Sequence, residues 1–144
     1  MSKENISRVG IAVLVIKEEE KEVLLGMRNG SFYPGYWAPP GGKKEYYETA
    51  KETGLRELLE ETGLAGRNIK LTSNRPVAVT EDLFPNGEDF TTLWIRVKYI
   101  YGEPKLREPD KCAEWGWFPW DKLPKNLFHP FKNLIKQGYY PFKE

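Results

Sequence analysis

Little in this 144-residue sequence supports cross-linking, membrane insertion or binding to DNA through bulk charge. A single cysteine, Cys112, excludes an intramolecular disulfide and agrees with a reducing compartment. No apolar run is long enough to span a bilayer, and the first ten residues contain no apolar signal core. The formal net charge of +1 gives no electrostatic reason to expect a nucleic-acid partner. We therefore expect a cytoplasmic protein that binds neither membranes nor nucleic acids.

The composition favours one folded domain over residues 1–144. Hydrophobic residues make up 40% of the chain and charged residues 30%, as in ordinary globular domains. No internal repeat, low-complexity segment or linker divides the sequence, so we expect a single domain.

Hydrophobic periodicity and turn residues predict two strands, a loop, a helix, three strands and a second helix, an order that fits an α/β sandwich with a mixed sheet. The stretch 29–42 is rich in glycine and proline, and it predicts a loop with a short strand near Trp37. The dipeptide Asn86-Gly87 predicts a hairpin between two later strands. Strands are predicted at Val9–Ile16, Glu22–Arg28, Ile69–Val79, Phe90–Tyr101 and Glu114–Trp120, and helices at Glu48–Thr62 and residues 127–138.

Three glutamates share one face of the first predicted helix. Glu57, Glu60 and Glu61 are spaced i, i+3 and i+4, so their side chains lie within one turn and repel each other. A hard divalent cation such as Mg²⁺ prefers carboxylate oxygens and cancels this repulsion. The spacing therefore makes this face a candidate magnesium site, with a solvated acidic face as the alternative, and magnesium in proteins is commonly accompanied by phosphate.

The opposite side of the same helix is apolar and is expected to anchor it to the core. Gly63 follows the helix as a predicted left-handed cap. Gly41 and Gly42 precede it, where the backbone can approach a metal closely. Gly54 in the helix interior costs about 0.5–1 kcal/mol relative to alanine. The expected anchoring residues are Ala50, Leu55, Leu58 and Leu59.

The segment 42–64, GKKEYYETAKETGLRELLEETGL, matches a known signature at every defining position. It reads glycine, five residues, glutamate, seven residues, Arg-Glu-Leu, one residue, Glu-Glu, one residue and Gly-Leu. This pattern resembles the Nudix box. The resemblance implies the Nudix fold, an α/β/α sandwich with a mixed β-sheet, and Mg²⁺-dependent attack of water on the diphosphate linkage of a nucleoside diphosphate derivative. One departure is Tyr47, where the family often has glycine.

Segments outside the box are similar to MutT-type Nudix hydrolases that degrade thiopurine nucleoside triphosphates. They are VLLGMRNGS, EPDKCAEWGWFPWDKLP and KQGYYPFKE. This resemblance implies a (d)NTP diphosphatase that releases a nucleoside monophosphate and pyrophosphate, and it implies a homodimer.

The resemblance also implies roles for residues of the box. The three helix glutamates are implied ligands of Mg²⁺, with Mn²⁺ as an alternative, and the backbone carbonyl of Gly42 is a further ligand. Arg56 is expected to pair with Glu48 and to hold the preceding loop on the helix. The expected metal ligands are Gly42, Glu57, Glu60 and Glu61, and Arg56 completes the catalytic group.

Substrate-binding residues are expected outside the box. Arg28 ends the second strand and is implied to contact the substrate phosphates. Trp37 belongs to an aromatic stretch that either stacks on a base or packs over the sheet. His129 and Phe131, at the start of the last helix, are expected to contact the base. The proton acceptor is left open among Glu57 and three loop carboxylates, Glu108, Asp110 and Glu114.

Other substrates and one other functional class stay open. ADP-ribose or another nucleotide sugar is an alternative, although Pro76 lies closer to the box than the proline typical of ADP-ribose hydrolases. Dinucleoside polyphosphates and mRNA caps are further alternatives, and the low net charge argues against caps. A nucleotide-sensing domain without catalysis is disfavoured because the box keeps every defining residue.

Overall fold

The computed structural model describes residues 5–142, which form a mixed eight-stranded sheet with one helix packed on each face. This confirms the predicted α/β sandwich. The ends of the predicted single domain, residues 1–4 and 143–144, lie outside the described residues. No helix in the described part of the chain is both long and apolar enough to cross a membrane. The elements are β1 Ser7–Lys17, β2 Glu22–Arg28, β3 Trp37–Ala38, β4 Gly41–Lys43, α1 Ala50–Thr62, β5 Ile69–Leu71, β6 Ala78–Leu83, β7 Asp89–Tyr99, β8 Cys112–Pro119, a 3₁₀ turn Trp120–Lys122 and α2 His129–Lys136.

Strands β1 and β7 form the centre of the sheet and pair in parallel, with Gly10 opposite Thr92 and Ala12 opposite Trp94. The apolar run of β1 is buried on both faces, as expected for a central strand with a helix on each side. Its alternate residues serve two cores, because successive side chains of a strand point to opposite faces. Residues such as Val13 pack under α1, and residues such as Leu14 pack under α2.

Two predictions about strands are wrong. The predicted strand Ile69–Val79 is divided into β5 and β6, which both pair with β7. The polar segment between them contains Pro76, which has no N–H group to donate to a neighbouring strand. The Arg75 N–H donates to the Ser73 hydroxyl and not to a strand. The end of the predicted loop 29–42 is also ordered as β4, which pairs with β1 through Gly41 and Gly42.

Helix α1 begins at Ala50 because Thr49 caps it. The Thr49 hydroxyl accepts from the Glu52 N–H at 3.1 Å, and the Glu52 carboxylate accepts from the Thr49 N–H at 2.9 Å. Gly63 ends the helix in the left-handed conformation, with a φ of 79°, which confirms the predicted cap.

The buried face of α1 is rotated relative to the predicted one. Leu58 is fully buried, but Leu59 is 45% exposed, so the expectation that Leu59 anchors the helix is wrong. The buried face instead follows the i+4 series Gly54, Leu58 and Thr62. A Cβ atom at Gly54 would lie 3.3 Å from side-chain atoms of Val13 and Ile95. The interior glycine therefore allows α1 to lie close against β1 and β7.

Adjacent leucines of α1 provide a matched test of this packing. We expect Leu58→Ala to lower the free energy of unfolding by about 3 kcal/mol, because it leaves a cavity in a closed core. Leu59→Ala should lower it by less than about 1 kcal/mol, since this side chain is largely in solvent. Urea unfolding measures both values. Equal losses for the two variants would contradict the observed helix orientation.

Candidate active site

A close contact between β4 and α1 forms one side of the site. The Gly41 N–H donates to the Glu61 carboxylate at 3.0 Å. A Cβ atom at Gly42 would overlap the Glu57 carboxylate, and one at Gly41 would overlap the carbonyl oxygen of Ile11. Neither position accepts a larger residue without displacing its neighbour, so the two glycines hold the carboxylates of Glu57 and Glu61 against the strand.

An ion-pair network holds the loop before α1 on the helix. Arg56 donates from Nε to Glu48 at 2.7 Å and from Nη2 at 3.0 Å, which makes a bidentate pair. The Thr53 hydroxyl donates to the same carboxylate at 2.7 Å. These hydrogen bonds lower the pKa of Glu48 to about 2. The expected pairing of Arg56 with Glu48 is therefore present.

Tyr47 shows why the family often has glycine at this position. Its φ of 66° lies in the left-handed region, which glycine adopts readily and tyrosine rarely. The Tyr47 side chain is 89% exposed, so no packing explains the choice of tyrosine. The turn into Glu48 keeps its left-handed geometry despite the substitution.

The three predicted carboxylate ligands do not converge on one point. Glu57 and Glu61 line a cavity, and Arg56 Nη1 pairs both with Glu57 at 3.6 Å and with the half-exposed carboxylate of Glu60 at 3.2 Å. Among residues 5–142, no three acidic, histidine or cysteine side chains are grouped closely enough to hold a metal ion. The assignment of Gly42 and the three glutamates as ligands stays a prediction.

Burial dominates the electrostatics of the two inner glutamates. Burial, opposed by the charge of Arg56 and supported by the charges of Glu60 and Glu108, raises the pKa of Glu57 to about 7. Burial also raises the pKa of Glu61 to about 8, against the opposing hydrogen bond from Gly41. A cation beside these groups would favour their charged forms, so this donor set fits a hard divalent ion.

These carboxylates open into a cavity of about 690 Å³. The lining divides by chemistry into an acidic side of five residues and a group of rings that we call the aromatic wall. Arg28 also lines the cavity. The acidic residues are Glu45, Glu57, Glu61, Glu108 and Asp110, and the aromatic wall consists of Phe84, Phe90, Trp94, Phe128 and Phe131.

Arg28 connects the two sides. Its Nε and Nη2 atoms donate to the Phe32 carbonyl at 3.1 and 2.9 Å, and its guanidinium lies 4.2 Å from the ring centre of Phe128. Burial lowers the pKa of Arg28, while the charge of Glu61 raises it. A planar donor held in this way is suited to phosphate oxygens.

The other predicted substrate residues are divided between the cavity and its surroundings. Phe131 is fully buried and lines the cavity. Trp37 is not among the lining residues. It packs on Phe118 at 4.8 Å between ring centres, which is the packing alternative. His129 also lies outside the lining, with its ring 5.3 Å from that of Phe84.

The loop carboxylates are divided in the same way. Glu108 and Asp110 line the cavity, whereas Glu114 lies on β8, exposed and outside the lining.

Most of the aromatic wall was not predicted from the sequence. The spacing of Phe90, Thr92 and Trp94 on β7 was an available signal, because alternate residues of one strand share a face.

Comparison with known protein families shows the family of this chain. A family model described as the NUDIX domain matches residues 6–137. The chain belongs to the Nudix hydrolase superfamily. The predicted superfamily is therefore confirmed. A crystal structure of a MutT NUDIX hydrolase from Burkholderia pseudomallei has a TM-score of 0.79 and 29% identity, covering 93% of this chain and 99% of that one, which confirms the Nudix fold.

Named relatives of this Nudix chain differ in what they are described as acting on. An oxidized purine nucleoside triphosphate hydrolase of Mus musculus is 44% identical over 118 residues, covering 82% of this chain and 70% of that protein. An ADP-ribose pyrophosphatase of Methanocaldococcus jannaschii is 36% identical over 118 residues, covering 82% and 66%. An m7GpppN-mRNA hydrolase of Xenopus laevis is 53% identical over 79 residues, covering 54% of this chain. The chain spans only 25% of the length of that mRNA hydrolase.

The raised pKa values of Glu57 and Glu61 predict how the stability of the metal-free protein depends on pH. The ordinary glutamate pKa is 4.5, whereas these groups keep their protons up to about pH 7 and 8 in the folded state. The folded state therefore binds more protons than the unfolded chain in this window. Because of this, the free energy of unfolding falls as the pH rises from about 5 to about 8. We expect the melting temperature in EDTA to fall by roughly 5 °C or more.

Single substitutions test whether the buried glutamates cause this pH dependence of the melting temperature. Glu61→Gln, whose amide oxygen can still accept from Gly41, should flatten the pH dependence. Glu19→Gln, in an exposed turn, should leave it unchanged. A melting temperature that rises from pH 5 to pH 8 in the unsubstituted protein would contradict the assignment.

Proposed function

We propose that this protein is a Mg²⁺-dependent pyrophosphohydrolase that cleaves a (d)NTP to a nucleoside monophosphate and pyrophosphate. The observation that supports it most is the single cavity that joins the box carboxylates to an aromatic wall. Carboxylates with a divalent ion suit a polyphosphate, and aromatic rings suit a base. A cavity of about 690 Å³ is within the range of small-ligand sites.

The carboxylate side fits the metal that the superfamily implies. The charge of Glu57 raises the pKa of Glu61, and the charge of Glu108 raises the pKa of both, so a cation beside them would stabilise their charged forms. These glutamates, with Glu60 once it leaves Arg56, would hold the ion. The bound ion would polarise phosphate oxygens and lower the pKa of a coordinated water.

The protein's own groups supply the other requirements. Arg28 is oriented by Phe32 and Phe128 and would bind phosphate oxygens of the substrate. A carboxylate at the cavity would accept a proton from the attacking water. The candidate carboxylates that line the cavity are Glu57, Glu108 and Asp110, whereas Glu114 lies outside the lining.

Substrate choice is inferred from the relatives. The nucleoside triphosphate hydrolase and the ADP-ribose pyrophosphatase align over equal lengths, and the first is 44% identical against 36% for the second. We therefore place (d)NTPs first and ADP-ribose second. The mRNA hydrolase is a longer protein, of which this chain matches a quarter.

The assembly and location rest on the family resemblance and the composition alone. We propose a single-domain homodimer in the cytoplasm, with Mg²⁺ preferred over Mn²⁺ and with no nucleic-acid or membrane partner. Light scattering coupled to size-exclusion chromatography tests the oligomeric state.

A substrate panel tests the reaction. We expect Mg²⁺-dependent release of a monophosphate and pyrophosphate from at least one canonical or oxidised (d)NTP, measured by chromatography of the products. Glu60→Gln should lower turnover at least about 100-fold without a large change in melting temperature, whereas Glu19→Gln should change neither. Cleavage of ADP-ribose alone would favour the second candidate, and full activity in Glu60→Gln would overturn the metal assignment.

Two glycine substitutions test the contact between β4 and α1. Gly42→Ala should lower kcat/KM at least about tenfold, because the new Cβ displaces the Glu57 carboxylate. Gly66→Ala is the matched control, since a Cβ there meets no atom within 4 Å. Equal activity of the two variants would show that the position of Glu57 does not matter for turnover.

A further inference from the structure

A chain of buried polar groups lies behind the aromatic wall. Asp82 on β6 is fully buried, and its carboxylate accepts from the hydroxyls of Thr80 and Thr92 and from the Asn133 amide. Trp94 in turn donates from Nε1 to the Thr80 hydroxyl at 3.0 Å. Only Thr92 and Trp94 of this chain of groups line the cavity.

The directions of the hydrogen bonds in this chain follow from the chemistry of its members. The Trp94 indole can only donate, so the Thr80 oxygen accepts from it and the Thr80 hydrogen goes to Asp82. The Asn133 amide donates to the other carboxylate oxygen at 2.9 Å. The carboxylate has acceptor sites alone, so the Thr92 hydrogen also points at Asp82.

Thr92 lines the cavity, and its hydroxyl can act towards a ligand only as an acceptor while its hydrogen is donated to Asp82. Gly10 lies opposite Thr92 on the neighbouring strand β1. A Cβ atom at Gly10 would lie 3.6 Å from Thr92 Oγ1, at ordinary van der Waals distance, and both residues line the cavity. With its hydrogen donated to Asp82, the Thr92 oxygen keeps two lone pairs that can accept from a ligand.

We propose that Thr92 determines base specificity by accepting a hydrogen bond from an amino group of the nucleobase, and that Asp82 is the positioning residue that fixes this polarity. A base with a carbonyl at the same point would bring two acceptors together and is rejected. The proposal rests on the proposed function, because it takes the aromatic wall as the site of the base.

The test compares nucleotides in which one amino group of the base is replaced, by a carbonyl in dATP with dITP and in dCTP with dUTP, and by hydrogen in dGTP with dITP. We expect the unsubstituted protein to prefer the amino member of at least one pair by about tenfold in kcat/KM. Thr92→Val removes the hydroxyl at nearly constant volume and should reduce that preference to within about twofold. Thr92→Ser keeps the hydroxyl and should retain it.

Thr91→Val is the matched control. Thr91 is the neighbouring residue of β7, its side chain points to the opposite face, and it does not line the cavity. This variant should keep the preference of the unsubstituted protein. Melting temperatures are measured for all variants, but the ratio between paired substrates decides the outcome, because a general loss of structure lowers both members together.

Binding of the corresponding monophosphates, measured by calorimetry, separates this proposal from the proposed function. One outcome is that the protein prefers to bind the amino member, that Thr92→Val abolishes this preference, and that no triphosphate is cleaved. This outcome would support the inference and overturn the proposed hydrolysis of (d)NTPs. An unchanged ratio in Thr92→Val would overturn the inference and leave the hydrolase intact. A carbonyl preference lost in Thr92→Val would show that the hydroxyl donates to the base, which overturns the role given to Asp82. No binding and no cleavage would overturn both.

Discussion

The close approach of α1 to the sheet is the constraint on which the rest of the site depends. Gly54 allows the helix to lie against the side chains of Val13 and Ile95. Further along the helix, the carboxylates of Glu57 and Glu61 fit into the space that the two glycines of β4 leave open. Burial of two carboxylates is unfavourable, and their raised pKa values measure that cost. A cation bound beside these two carboxylates would therefore stabilise their charged forms.

Arg28 gives the cavity its internal organisation. Its guanidinium is held by the Phe32 carbonyl and lies over the ring of Phe128, while it is also coupled to the charge of Glu61. A cation at this point separates a region rich in negative charge from one rich in rings. A ligand with a charged part and an aromatic part contacts both regions favourably in one orientation only. The cavity therefore determines the direction in which such a ligand binds.

The local features of this protein could be predicted from its sequence, and the long-range features could not. The box spacing, the cap at Gly63 and the strand Glu22–Arg28 each depend on neighbouring residues, and all were recognised. Which leucine of α1 faces the core depends on how the helix lies on the sheet, so Leu59 was misplaced. The aromatic wall combines β7 with a residue that follows β6 and with Phe128 and Phe131 at the start of α2. Trp37 packs outside the cavity lining on Phe118 of β8.

The two sides of the cavity come from different parts of the chain. Residues 41–61 supply the glycine strand and the inner glutamates, whereas residues 84–94 and 128–131 supply the aromatic wall and Thr92. A substitution in the second set that leaves Phe128 in place keeps the contact through which Arg28 joins the two sets. The aromatic wall can therefore change its shape while the glycine strand and the inner glutamates keep their hydrogen bond. Relatives of similar sequence carry names for different nucleotides, and such separate variation is one physical route to that diversity.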